Sequence, residues 1–136
     1  MREQMNIEER AEQAAQLKLS GRYNCAQSVV TALADQCNLS EEQLRNISAG
    51  FCAGMGTLQA TCGALVGAAM IAGLKTEGNN TLSCTRQMIK AFEQKCGAVT
   101  CRNLKAKQAD GTPLCPCEDC VRNAIRVYGE VFSTNI

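Results

Sequence analysis

Ten of the 136 residues are cysteine and none is histidine. Four of the ten share one local setting, each directly following a capping or turn-forming residue: Asn24-Cys25, Thr61-Cys62, Thr100-Cys101 and Pro116-Cys117. Each pair reads as the start of a helix, where free N–H groups and the positive end of the dipole stabilise a thiolate. Repeated four times, the placement points to a site built from thiolates, with Cys25, Cys62, Cys101 and Cys117 as its candidate catalytic residues. The chemistry open to them is thiol–disulfide exchange or electron transfer. The alternative is that the same four sulfurs ligate an iron–sulfur cluster, zinc or another soft metal. A third reading is structural: the cysteines pair or pack, and function lies in binding through the bundle.

The run Cys115-Pro116-Cys117-Glu118-Asp119-Cys120 adds Cys115 and Cys120 as secondary redox candidates. Cys117 and Cys120 have the C-x-x-C spacing of dithiol centres and metal knuckles. A zinc site of that type needs a second such pair, which the chain lacks, and the acids inside the first oppose thiolate formation. Cys37 and Cys84 lie on or beside apolar helical stripes, and Cys96 ends one just before Gly97. These three are expected to pack as small hydrophobes. Cys52, in the glycine-rich stretch Gly50–Gly56, fits either a site or a close crossing of helices.

Other chemistry finds no residues. Without histidine there is no Ser-His or Cys-His dyad, and the chain contains neither a phosphate-binding GxxxxGK[ST] loop nor a strand-linked GxGxxG run. A net charge of +1, with no Trp and only two Tyr and three Phe, argues against nucleic-acid binding. The polar start from Met1 to Arg10 is unlike a signal peptide. The longest nearly uncharged segment, Cys62 to Leu74, is too short to cross a bilayer. The expectation is therefore a cytoplasmic protein without membrane insertion, where cysteines serve as ligands, catalytic groups or core residues more often than as permanent cross-links.

The elements that must position these sulfurs are helical. Glu8–Leu19 is rich in good helix formers and ends at Gly21. Asn24 caps a second helix running to Cys37, and Ser40-Glu41-Glu42-Gln43 is a capping box for a third. Residues 62–74 carry small side chains nearly all round, which places that helix at the centre of a bundle. Thr81–Cys96 and Glu118–Phe132 complete the set, with Met88, Phe92, Val121, Ile125 and Tyr128 inward. The reading is an all-α, single-domain bundle of about five to six helices over residues 1–136, around the helix at 62–74.

Gly21-x-Tyr23-Asn24-Cys25-Ala26-Gln27-x-Val29, Thr61-Cys62-Gly63-Ala64-Leu65-x-Gly67-Ala68, Cys101-Arg102-x-Leu104, and a cysteine ahead of Val121-x-x-Ala124 together resemble a family of cysteine-rich redox-active proteins. That family is named for a C…CGAxxG…C…C pattern, and the resemblance covers about residues 10 to 133. It implies an all-helical fold, genes near transporters and hence a transporter-associated redox partner, and a site of Cys25, Cys62, Cys101 and a fourth cysteine. Spacing to Val121 favours Cys117 as the fourth, and a following proline favours Cys115. Cys117 is chosen because it also opens a helix. Cys62 is expected to be the more nucleophilic thiolate, with Thr61 as cap and Cys25 or Cys101 as resolving partner. Six further cysteines, and Leu58-Gln59-Ala60 in place of a glycine-rich approach, depart from the pattern.

Overall fold

In a computed structural model, which describes residues 6–132, the chain forms seven α-helices. They are α1 (Ile7–Leu19), α2 (Cys25–Ala32), α3 (Glu41–Ser48), α4 (Gly63–Thr76), α5 (Thr81–Cys96), α6 (Cys101–Lys105) and α7 (Cys117–Phe132). The expected all-α bundle is what forms, with α6 as the one helix beyond the expected six. Among the described residues extended pairing is limited to isolated antiparallel bridges at Thr61–Thr100 and Lys107–Pro113. Residues 1–5 and 133–136 of the expected domain, including part of its polar start, lie outside the described residues.

Local sequence fixes the first three helix starts. Asn6 with Glu9, Asn24 with Gln27, and Ser40 with Gln43 each form a reciprocal capping box. The second helix stops at Ala32, five residues before the expected end. There Arg10 of α1 takes the Ala32 carbonyl at 3.1 Å and clasps Asp35 with two bonds of 2.6 and 2.7 Å. A short 3-10 turn, Ala34–Gln36, places that carboxylate, so Cys37 falls beyond the helix.

The expected central helix, α4, packs against α2, α5 and α7, and α7 shares the centre by also contacting α1 and α2. Small residues set the spacing. A Cβ on Gly67 would lie 3.0 Å from the Ala26 carbonyl oxygen of α2, and one on Gly129 only 2.6 Å from Ile7 of α1. Met88, Phe92, Val121, Ile125 and Tyr128 are buried as expected, in one continuous core. No helix among the described residues is long and apolar enough to cross a membrane.

Candidate functional site

Three helices begin at cysteine, and a fourth begins just after one. Cys25 opens α2, Cys101 opens α6 and Cys117 opens α7, while Cys62 is itself the N-cap of α4. Main-chain bonds tie these starts together. The Cys62 N–H donates to the Val99 carbonyl at 2.8 Å, and the Cys101 N–H donates to that of Ala60 at 3.0 Å. The Cys115 N–H donates to the Leu104 carbonyl at 3.0 Å, and the Cys120 N–H to that of Pro116 at 2.9 Å. The result is a small chamber of about 10 Å³ lined by Cys25, Cys62, Cys101, Cys115, Cys117 and Cys120. Lys105 also lines it. All four candidate catalytic residues and both secondary ones therefore meet.

The sulfurs divide into two groups. Cys25 interacts with Cys117 and Cys52. Cys120 interacts with Cys115, Cys62 and Cys96, and the sulfurs of Cys96, Cys115 and Cys120 all lie within 4.8 Å of one another. None of the ten cysteines is joined in a disulfide. The family whose model matches this sequence, over residues 23–131, is described as "Putative redox-active protein (C_GCAxxG_C_C)".

The chain belongs to this family. No curated protein and no solved structure matched it.

The CGAxxG segment of this family member, Cys62 to Gly67, has a packing role that explains its glycines. A Cβ on Gly63 would meet the Phe51 carbonyl oxygen at 2.5 Å and the Cys52 Cα at 3.2 Å. Gly63 thus lets the Cys52 loop close over the start of α4, and Gly67 lets α2 approach one residue after Cys25. The loop itself is strained. Ala53, Met55 and Leu58 all have positive φ, at a cost of about 1 kcal/mol or more each. It is held by the Leu58 N–H to the Ala53 carbonyl at 2.9 Å and the Thr57 hydroxyl to the Gly54 carbonyl at 2.9 Å.

Electrostatics separate thiols from thiolates. In the first group Cys25 keeps its proton: the neighbouring Cys117 and Cys52 sulfurs, then burial, push its pKa up. Cys117 is drawn down to about 6, first by the Cys25 thiol and further by Lys105 and Lys18. Cys52 is drawn down to about 5 by Cys25, with the Cys25 and Ala53 amides and Lys105 assisting. In the second group Cys96 is lowered to about 3 by the Cys115 and Cys120 thiols and by the Asn123 amide. Cys120 is raised by Cys115, Cys62 and Cys96.

Two expectations about the helix starts need correction. Thr61 does not cap α4; the backbone turns into the helix at Cys62, whose own side chain makes no capping bond. The Cys62 pKa is still lowered, first by the Cys120 thiol and then, against burial, by the Ala64 and Leu65 amides. Cys101 goes the other way, its pKa raised by burial despite Lys105. Its five-residue helix supplies at most a fraction of the dipole effect, about 0.3–1 kcal/mol, which desolvation exceeds.

Cys96 is buried in the core as expected, but it also completes a sulfur trio, which its apolar stripe did not announce. Cys52 resolves toward both of its readings, crossing closely over α4 and touching Cys25. Along the Pro116–Cys120 segment, Cys120 is buried and Cys117 half-buried. Cys37 and Cys84 stand outside the chamber, half-buried. The four sulfurs expected as alternative iron–sulfur or zinc ligands, Cys25, Cys62, Cys101 and Cys117, all line this one chamber, and Cys62 and Cys101 both interact with Cys117.

Proposed function

We propose that this protein carries out thiol–disulfide exchange through Cys117 and Cys25. The observation that carries the reading is the meeting of two helix-opening cysteines, one a thiol and the other favoured as a thiolate beside Lys105. Exchange needs a thiolate fraction and access. Cys117 is half-buried, whereas Cys62 is 5% exposed, so attack is assigned to Cys117 rather than to Cys62.

The Cys117 thiolate attacks one sulfur of a substrate disulfide, forming a mixed disulfide and expelling the other sulfur as a thiolate. The Cys25 proton passes to that leaving thiolate. The Cys25 sulfur then attacks Cys117 and releases the second substrate thiolate. Two protein sulfurs become one disulfide while one substrate disulfide becomes a thiol and a thiolate, so electrons, protons and charge balance. Cys52 also lies against Cys25 and helps hold its proton in place before the first step.

The test is to mix the reduced protein with a small aromatic disulfide and map the product by mass spectrometry after acid quenching. A reversible Cys25–Cys117 disulfide is expected, with Cys25→Ser stalling at a mixed disulfide on Cys117. Absence of a reversible disulfide, or oxidation confined to Cys62 and Cys120, would overturn the assignment.

A further inference from the structure

The trio outside the exchange pair has an organisation of its own. Cys96 ends α5, Cys115 lies in the loop before α7, and Cys120 sits in the first turn of α7. Three buried sulfurs from these separate positions lie mutually within 4.8 Å, with no carboxylate or imidazole among them. Cys62, at the start of α4, also interacts with Cys120.

A second observation comes from a side chain outside the trio. The Asn123 side chain donates Nδ2–H to the Cys96 sulfur at 3.3 Å. Its orientation is fixed by Arg126, whose Nη1 donates to Asn123 Oδ1 at 2.9 Å, and Arg126 is in turn paired with Glu8 at 2.9 Å. A carboxylate, a guanidinium and an amide thus line up to direct one N–H at one sulfur. Outer hydrogen bonds of this kind orient metal ligands and stabilise their charge.

We propose that Cys96, Cys115 and Cys120 form a three-sulfur binding site for a thiophilic d10 cation of the zinc class, with the fourth coordination position open. Zinc–sulfur bonds of about 2.3 Å set tetrahedral sulfur separations of about 3.8 Å, so the trio closes by an inward shift of about 1 Å or less. Soft sulfur donors and the absence of oxygen ligands select against magnesium and calcium. The site's purpose follows from its position. Cys115 and Cys120 bracket Cys117, so a bound ion clamps the segment that presents Cys117 to Cys25.

The test is a titration of the reduced full-length chain with Zn(II) in competition with a chromophoric chelator. One equivalent is expected to bind, and substituting Co(II) should give sulfur-to-metal charge-transfer absorption. Cys96→Ser should weaken binding by about 100-fold or more. Asn123→Ala, which removes no ligand, should weaken it by about 10- to 100-fold. Circular dichroism of each variant separates lost binding from lost folding. Cys25→Ser should bind zinc as the wild type does while failing to complete disulfide exchange, so this site and the exchange pair can fail separately. Failure of the wild-type chain to take up an equivalent of Zn(II), or a folded Cys96→Ser protein with unchanged affinity, would overturn the proposal.

Discussion

The Cys25 thiol serves two neighbours with one proton, and that sharing has a pH signature. Cys117 at about 6 and Cys52 at about 5 lie below the ordinary cysteine value of about 8.5. A lowered pKa keeps the thiolate present at neutral pH and loses it only as pH falls through the lowered value. The Cys25 thiol of α2 and Lys105 of α6 favour the charged form of both sulfurs and Lys18 of α1 that of Cys117, while burial opposes it at both and the neighbouring Cys52 opposes it at Cys117. Alkylation by iodoacetamide, mapped by mass spectrometry, should therefore stay fast from pH 8 to about pH 6 at Cys117 and to about pH 5 at Cys52. It should drop below those values, whereas the unfolded chain loses reactivity near the ordinary value. Cys101, with its pKa raised by burial, should be slow at pH 7. Cys25→Ala removes the shared donor and should move both profiles upward by about one unit or more. An unchanged profile in that variant would show that the lysines and the backbone amides hold the thiolates without the Cys25 thiol.

At the scale of elements, the site depends on backbones that approach where a side chain would not fit. Gly63→Ala gains helix propensity of up to about 1 kcal/mol but places a Cβ 2.5 Å from the Phe51 carbonyl oxygen, a backbone atom that must move. The clash wins, and a net loss of about 1–3 kcal/mol in urea unfolding is expected, with slower disulfide formation because the Cys52 loop is displaced. Gly67→Ala, against the Ala26 carbonyl at 3.0 Å, should lose less. These contacts show which parts of the fold were legible in the sequence. The Asn24–Gln27 and Ser40–Gln43 boxes are local grammar, so the starts of α2 and α3 were readable, and so was the inward face of α7. Cys62 was readable as a helix start, but its own place at the N-cap, in place of Thr61, was not. Cys96 carried no local signal of the site, and the glycine-rich stretch around Cys52 left a site and a close helix crossing equally open. The first meets Cys115 only when α5 and α7 pack, and the second meets Cys25 only when a loop with three strained residues folds over Gly63. The early end of α2 was equally hidden, being set by Arg10 from another helix.

Across the whole molecule, one buried ion pair and one potential cross-link connect distant parts of the chain. Arg10 is 1% exposed, and its bidentate bond to Asp35 joins α1 to the turn after α2. Asp35→Asn leaves the buried guanidinium without its full countercharge and should cost about 3 kcal/mol or more in chemical unfolding. The exposed pair Arg126–Glu8 gives a contrasting control: Glu8→Gln should change stability by about 1 kcal/mol at most. The exchange pair couples stability to redox state over a still longer span. A Cys25–Cys117 disulfide would tie the start of α2 to the start of α7 and close most of the chain into one loop. In the loop-entropy picture, closing so long a loop disfavours the unfolded state by on the order of 4 kcal/mol, before any strain in the folded state is subtracted. Oxidised protein should therefore unfold at a higher temperature than reduced protein, and Cys25→Ser should abolish the difference. By linkage, whatever stability the bond adds makes it correspondingly harder to reduce in the folded chain than in the unfolded one. Measuring the Cys25–Cys117 potential in glutathione buffers, with and without denaturant, tests that equality. Equal potentials in the two states, together with equal melting temperatures, would mean that closing the bond strains the fold by as much as the loop entropy gains.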